Sequence, residues 1–465
     1  MSDTIAAVAT PPGVGGIAIV RVSGPDAKDV LARSFLPLSA RFENFVPWRL
    51  HRGRIVDWNG EALDDVLAVF MPGPATYTGE DVAEIHCHGG PCIVQAVLES
   101  VLRRGVRQAE RGEFSRRAFL NGRMDLSQAE AVAELIAAPS REALRYGLNR
   151  LDGLLGRRTG ALRRKLEDLR ARLCVAVDFP EEDVEALAPE EFVAGIDAVA
   201  DALRGLLAGS RRARLMQRGA LVVLAGAVNA GKSSLLNALL GRNRALVTDI
   251  PGTTRDFLEE SCDLDGLPVR LVDTAGLRHS SEAVERLGIA RSRQKLGEAD
   301  TVVLVLDGAA IGAHGAAAAA CPDAAAAEVL QCAAEAPLLA VWNKCDICPS
   351  PATPPSWLGG RECLAVSALT GAHMEALASR LRSLLLADAA PAPEHGLAPN
   401  VRQSLALEAA LEELSALRGD VLAGQPYDCC AARLDAAAAH LGEVTGLSSP
   451  TEVLNRVFGQ FCIGK

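Results

Sequence analysis

Three absences bound this chain before any motif is read. No apolar run reaches the roughly 18 uninterrupted residues of a membrane span, so no membrane role is expected. Met1 to Thr10 lack a basic flank followed by a long apolar stretch, so no secretory signal is expected either. Positive charge is not in excess: 48 Lys and Arg against 58 Asp and Glu give a formal net charge of −10. That excludes a global basic coat for nucleic acid but leaves room for a local basic face. What is abundant is apolar: 49% of 465 residues are hydrophobic, enough for real cores. At roughly 150 residues per domain, this length suggests about three domains. The 12 cysteines need not form a disulfide framework, because a chain of this size builds cores without staples. The expectation is a cytoplasmic protein with reduced thiols.

Residues 1–120 mix short strand-like runs with turns. Ile17 to Val22 ends at Ser23-Gly24-Pro25, Val66 to Met71 ends at Pro72-Gly73-Pro74, and Val82 to His86 precedes Gly89-Gly90-Pro91. A small α+β domain fits. From about 121 the spacing turns helical, with Leu162, Leu166, Leu169, Leu173 and Val177 every three or four residues, then Ile196, Val199, Leu203 and Leu206. Leu221 to Ala225 then reads as a buried strand. Val269 to Val272, Val302 to Leu306 and Leu338 to Val341 repeat it between helical stretches. That alternation predicts a sheet with helices on both faces. Three prolines between Asp388 and Pro399 suggest a linker, after which Leu407, Leu411, Leu414 and Leu417 resume helical spacing. The expected fold class is multidomain α/β, with an α+β domain over 1–120 and helical parts at 121–215 and 387–465. An α/β domain over 216–386 is inserted between those parts. Residues 309–327 hold twelve alanines in nineteen positions and are expected to form a solvent-facing insert without a site.

Gly226-Ala227-Val228-Asn229-Ala230-Gly231-Lys232-Ser233 is a G-x-x-x-x-G-K-S loop between a buried strand and a helical run. Such a loop holds phosphates with backbone N–H groups and a helix N-terminus. Lys232 would neutralise outer phosphates, and the Ser233 hydroxyl would ligand Mg²⁺. Asp273-Thr274-Ala275-Gly276 ends the next strand: the carboxylate can reach Mg²⁺ through water, and the Gly276 N–H can meet a γ-phosphate. Asn343-Lys344-Cys345-Asp346 ends a later one, where Asp346 can accept the two donors of a guanine edge. Ser367-Ala368-Leu369 would back the base. These motifs, in this order, resemble the translation-factor-like GTPase superfamily over about residues 216–386. Leu277 stands where Ras-type proteins have a water-orienting glutamine, so another residue must take that role.

The switch string Gly252-Thr253-Thr254-Arg255-Asp256 resembles the MnmE (TrmE) family of tRNA modification GTPases. Three further strings agree: Gly112 to Asn121 leading into Asp125-Leu126-Ser127-Gln128, Thr10-Pro11-Pro12-Gly13, and the terminal Phe461-Cys462-Ile463-Gly464-Lys465. The resemblance covers essentially the whole chain except the alanine-rich stretch. It implies a homodimer whose subunits carry an N-terminal folate-binding and dimerisation domain, a helical domain and an inserted P-loop GTPase domain. With the FAD-dependent partner MnmG, the family modifies C5 of the wobble uridine in certain tRNAs. A one-carbon unit from 5-formyl- or 5,10-methylene-tetrahydrofolate is joined to an amine or glycine, giving an aminomethyl or carboxymethylaminomethyl group.

Carried over, the nucleotide contacts fall on Asn229, Ala230, Gly231, Lys232, Ser233 and Ser234, then on Thr248, Asp249, Ile250, Pro251, Gly252, Thr253 and Thr254. They continue on Asp273, Thr274, Ala275 and Gly276, and on Asn343, Lys344, Cys345 and Asp346, with Ser367, Ala368 and Leu369 at the base. Ser233 and Thr254 match the Mg²⁺ ligands. Asn229, Thr248, Ile250 and Thr253 match those of a K⁺ ion that replaces an arginine finger. Glu285 matches the glutamate that orients attacking water, and Arg278 would support the switch. Arg21, Glu84, Arg123 and Lys465 match the folate contacts. Cys462 matches a tail thiol proposed for the modification chemistry, with a buried packing residue as its alternative. Val228 replaces a usual proline, and Arg123 a usual lysine, which changes donor geometry.

Other signals carry less. Cys345 and Cys348 have zinc-like spacing but no second pair. His86, Cys87 and His88 alternate along a strand and should face opposite sides. Residues 157–172 carry seven Arg or Lys and two acids, which is either a solvated helix face or a tRNA-facing stripe. A ribosome-assembly GTPase and a folate-sensing regulator are the competing functions.

Overall fold

The computed structural model describes residues 3–178, 189–242, 259–274, 292–311, 322–333, 336–349, 354–387 and 397–465. The chain divides into two compact units interleaved in sequence. One comprises Met1–Ile136, Gly147–Leu203 and Leu405–Lys465; the other comprises Ala137–Tyr146 and Arg204–Ser404.

Among the described residues the first unit holds seven strands: β1 (Ile5–Val8), β2 (Gly15–Ser23), β3 (Phe35–Pro37), β4 (His51–Val56), β5 (Ala62–Met71), β6 (Val82–Gly89) and β7 (Arg107–Gln108). Their order is β3-β4-β5-β6-β2-β1-β7, antiparallel except for β1 with β7. Only β2, β5 and β6 were legible in advance. β1, β3 and β7 are too short to show alternation, and β4 reads His-Arg-Gly-Arg before its two apolar residues. Along β2 and β6, Ala18, Val20, Val22, Ala83, Ile85 and Cys87 join one core with the helices Ala27–Ser34 and Pro91–Leu102. Each fully buried Val or Ile there contributes about 1.5–3 kcal/mol. The intervening Arg21, Glu84 and His86 therefore point to the other face.

Helical character begins earlier than the spacing suggested, at Glu113–Leu120, which follows the left-handed Gly112. Phe119 of that helix, Leu126 and Ala129 of Leu126–Ile136, and Val457, Phe458 and Phe461 near the C-terminus form one apolar cluster. The helix Leu154–Asp178 buries Leu162, Leu166, Leu169 and Leu173 and packs along Tyr427–Thr445, which buries Cys430, Leu434, Ala437 and Leu441.

The second unit is built on β8 (Ala220–Ala225), β9 (Glu259–Leu264), β10 (Leu267–Asp273), β11 (Thr301–Asp307), β12 (Leu338–Asn343) and β13 (Cys363–Ala365), in the order β13-β12-β11-β8-β10-β9. All pairs are parallel except β9 with β10. Period-two alternation feeds two cores. Val222, Leu224, Val303, Val305, Leu339 and Val341 meet the helices Ser210–Arg218, Lys232–Arg242 and Met374–Leu386. Leu221, Val223, Val302, Leu304, Ala340 and Trp342 meet the helix Ala324–Cys332. That helix corrects one expectation. Ala326 is 1% exposed, so the end of the alanine-rich stretch is core and not a solvent-facing insert. Strand β9 was missed because Glu-Glu-Ser-Cys-Asp-Leu is a polar edge; the Asp265-Gly266 turn, both residues at positive φ, was the available signal. Parallel pairing brings the C-terminal ends of β8, β10, β11 and β12 to one edge, where open α/β sheets bind ligands. Among the described residues, no helix is long and apolar enough to cross a membrane.

Candidate functional site

In the second unit, β8 runs into a loop turned by glycines. Gly226 has φ 141° and Gly231 φ 90°, conformations that side chains resist. A Cβ at Gly226 would also strike the Val305 carbonyl, and one at Gly231 the Asn343 amide. Buried Lys232 folds across this loop, its Nζ donating to the carbonyls of Gly226 (2.9 Å) and Ala227 (2.6 Å). Those are the contacts that phosphate oxygens would replace. Ser233 Oγ donates to Asp273 Oδ2 at 2.6 Å, joining the loop to the end of β10. Thr274 Oγ1 donates back to the Leu224 carbonyl at 3.0 Å.

Asn343 ties three loops together. Its Nδ2 donates to the Ala230 carbonyl at 2.9 Å, and its Oδ1 accepts from Ala368 N–H at 3.1 Å. Lys344, at φ 65°, donates to the Asn229 carbonyl at 3.0 Å and pairs with Asp307 Oδ2 at 2.7 Å. Burial, the largest single effect, would raise the Asp307 carboxyl; the Lys344 hydrogen bond and charge and the backbone N–H groups of Ala310 and Ala309 together outweigh it and hold the group below its ordinary value. Asp307 escaped the sequence reading, although an acid at a strand end before Gly308 was a usable signal. Ser233, Ser234, Asp346 and Leu369 are exposed along this edge, Cys345 is half-buried, and Ser367 is buried beneath. Cys345 and Cys348 pack against the second core. Thr248, Asp249, Ile250, Pro251, Gly252, Thr253, Thr254, Ala275, Gly276, Arg278 and Glu285 lie outside the described residues.

In the first unit, Arg21 and Glu84 are register partners on the face opposite the helices Ala27–Ser34 and Pro91–Leu102, beside Phe114 of the helix Glu113–Leu120. Arg21 Nε meets Glu84 Oε1 at 2.8 Å, and His86 Nε2 lies 3.4 Å from Glu84 Oε2. The His86 hydrogen bond foremost, then Arg21, hold the Glu84 carboxyl below its ordinary value against the opposing effect of burial. The Arg21 guanidinium lies 6.0 Å from the Tyr77 ring centroid and 5.8 Å from that of Phe114, cation–π range on both. Arg123 Nε donates to the Thr76 carbonyl at 3.1 Å, one residue from Tyr77. Tyr77, His86 and Phe114 were not singled out as site residues, because only the packing of a loop, a strand and a helix makes them neighbours of Glu84 and Arg21.

The C-terminus reaches the same place. Ile463 bridges Arg111, Gly112 N–H donates to the Cys462 carbonyl at 3.4 Å, and Gly464, at φ 97°, sits against the Val8 carbonyl. Lys465 is half-buried, and burial first, then the Arg21 charge, lower its pKa. Cys462 is exposed, which overturns the packing alternative. His86, Cys87 and His88 take separate partners: Glu84, the Ala18 carbonyl and Asp64.

A largely parallel sheet with a glycine-turned loop, a loop lysine, a Ser–Asp pair and an Asn-Lys-x-Asp strand end defines a P-loop nucleotide domain of the GTPase class. Family models described as the GTP-binding protein TrmE N-terminus and the MnmE helical domain match residues 4–123 and 126–462. The tRNA modification GTPase MnmE of Nitratidesulfovibrio vulgaris is 55% identical over 465 residues, covering 100% of this chain and 99% of that protein. Its counterpart from Lawsonia intracellularis is 46% identical over 472 residues, covering 100% of both. A crystal structure of Aquifex aeolicus Era bound to GDP.AlF4- overlaps 42% of this chain and 66% of that chain, at 21% identity and TM-score 0.27. The chain belongs to the MnmE family of tRNA modification GTPases. It is thus a GTP hydrolase acting in tRNA modification, which sets aside the ribosome-assembly and folate-sensing readings.

Proposed function

We propose that this chain is a K⁺-dependent GTPase which, as a homodimer with MnmG, builds the aminomethyl or carboxymethylaminomethyl group on C5 of the wobble uridine. The observation that carries this reading is the meeting of Arg21, Glu84 and the C-terminal Lys465 on one face of the sheet, all three partly buried. A charged carboxylate there suits the donor-rich edge of a pterin. Arg123 and Lys465 suit the anionic tail of a tetrahydrofolate. Exposed Cys462 lies within the same tail, available for the one-carbon chemistry.

In the nucleotide domain, the Ser233–Asp273 pair fits Mg²⁺, with the hydroxyl as direct ligand and the carboxylate acting through water. Bound Mg²⁺ supplies charge neutralisation on the β- and γ-phosphates. Asn229 sits at φ 66° in the loop, a turn that suits its assigned part in holding K⁺ with Thr248, Ile250 and Thr253. Lys232 exchanges its loop carbonyls for phosphate oxygens, and Glu285 orients water. FAD enters with MnmG, and the setting is the cytoplasm. The test is mass spectrometry of tRNA nucleosides from a strain lacking this chain, complemented with wild type or Arg21→Ala. Loss of the C5 modification with Arg21→Ala, at unchanged GTP turnover, is expected. Full modification would sink the folate assignment. GTP turnover at equal rates in K⁺ and Na⁺ would sink the cation assignment.

A further inference from the structure

We propose that the N-terminal half of the helix Leu154–Asp178 is a docking face for the phosphate backbone of tRNA. It carries Arg157, Arg158, Arg164 and Lys165.

Its buried side is accounted for by Leu155, Thr159, Leu162, Leu166, Leu169 and Leu173. The exposed surface beside and opposite that stripe carries the charge. Of the seven cations between 157 and 172, three are neutralised: Arg163 pairs with Glu167, Arg170 with Asp435 and Arg172 with Glu191. Arg157 donates one N–H to the Asp152 carbonyl, which leaves its charge uncompensated. Arg158, Arg164 and Lys165 are exposed and make no hydrogen bond or ion pair among the described residues. The four recur at i, i+1, i+7 and i+8, so they share one face over eight residues, about 12 Å of helix. The acids of this stretch, Glu167 and Asp168, follow Lys165, Asp168 one turn after Arg164 on the same side, so the unmixed positive charge belongs to the first turns of the helix.

Mixed signs at i and i+4 close this stretch, with Arg163 on Glu167 and Asp168 four residues after Arg164, whereas Arg157 and Arg158 have Ala161 and Leu162 four residues on and no acid to meet. Here Arg157 also closes the first turn of the helix, where the macrodipole disfavours a cation by about 0.3–1 kcal/mol. The arrangement opposes the helix in isolation and favours a polyanion in contact. On a chain of net charge −10, such a concentration of positive charge is local. Delocalised, strongly charged arginine heads on flexible stems match phosphate oxygens, and nothing aromatic interleaves to stack bases. The face therefore reads backbone and shape, not sequence. The family's substrate class is tRNA, which commits the occupant to RNA.

The test uses the full-length chain and deacylated bulk tRNA, with dissociation constants measured from 50 to 200 mM KCl. The variant is Arg158→Ala/Arg164→Ala/Lys165→Ala, all exposed positions outside the nucleotide and tail sites. Removing three phosphate contacts should lower the slope of log K against log salt by about 3 and weaken binding at least ten-fold at low salt. Basal GTP turnover and the melting temperature should not move. Lysine replacements of both arginines should restore most of the slope. An unchanged slope and affinity would overturn the proposal. So would lost association with the modification partner at unchanged tRNA affinity, which would give this face to a protein surface.

Discussion

Asn343→Ala is the most direct test of how the nucleotide edge is held together. The Asn343 side chain is 2% exposed and makes two hydrogen bonds, to the Ala230 carbonyl and from the Ala368 N–H. Each is worth about 0.5–1.5 kcal/mol net, and each partner left buried without a replacement costs about 1–3 kcal/mol. Ala230 is wholly buried, so its carbonyl has little recourse to solvent. If a water fills the vacated amide volume, the cost falls to the lower end, about 2 kcal/mol. That is roughly a 30-fold rise in local opening. The assay is hydrogen exchange of the Ala368 amide in the nucleotide-free full-length chain, paired with GDP affinity. Asn343→Asp keeps an acceptor for Ala368 but turns a carboxylate oxygen toward the Ala230 carbonyl, so it should be no better than alanine. Ala368 exchange and GDP affinity within two-fold of wild type would refute the claim that Asn343 couples these loops.

Four further outcomes are expected. Glu84→Gln should destabilise the first unit by about 1.5–3 kcal/mol at neutral pH, the range of charge-assisted hydrogen bonds. Because the folded carboxyl titrates below 4.5, its contribution is present above that value and lost as pH falls below it, so wild type and variant should converge in acid unfolding curves. Gly464→Ala forces a Cβ into the Val8 carbonyl at φ 97°, and a cost of about 1–3 kcal/mol should lift the tail, lowering tetrahydrofolate affinity ten-fold or more in equilibrium dialysis. Glu285→Ala should keep GTP affinity and lose turnover by at least about ten-fold in a phosphate-release assay. In thiol labelling of the native chain, exposed Cys462 should react well before Cys87 and Cys262, whose thiols burial pushes up to about 11 and about 12.

Much of the nucleotide edge was legible because its logic is local. Gly226, Gly231, Lys232 and Ser233 lie within one loop, and the chemistry follows from their spacing between a strand and a helix. The buried strands showed as unbroken apolar runs because both faces of that sheet are covered. The polar edge β9 and the short strands of the first unit were not legible, because their pairing is stabilised by neighbours distant in sequence. Asp307 is an intermediate case: its place at a strand end before Gly308 is local, but its ion pair with Lys344, 37 positions on, is not.

By itself the sequence determined the class of the nucleotide loop, the order of its supporting motifs and the kinship of the whole chain. The family resemblance could group Arg21, Glu84 and Lys465, but only the tertiary structure decided how they come together. Arg21 and Glu84 are 63 positions apart, and Lys465 closes the same group from the opposite end of the chain. Only antiparallel register puts the first two side by side on one face of the sheet. Only the docking of Phe458 and Phe461 beside the helix Glu113–Leu120 carries the tail to them. A side chain's partner is fixed by the alignment of whole elements, and that alignment is set by the summed burial of many residues, which no single string encodes.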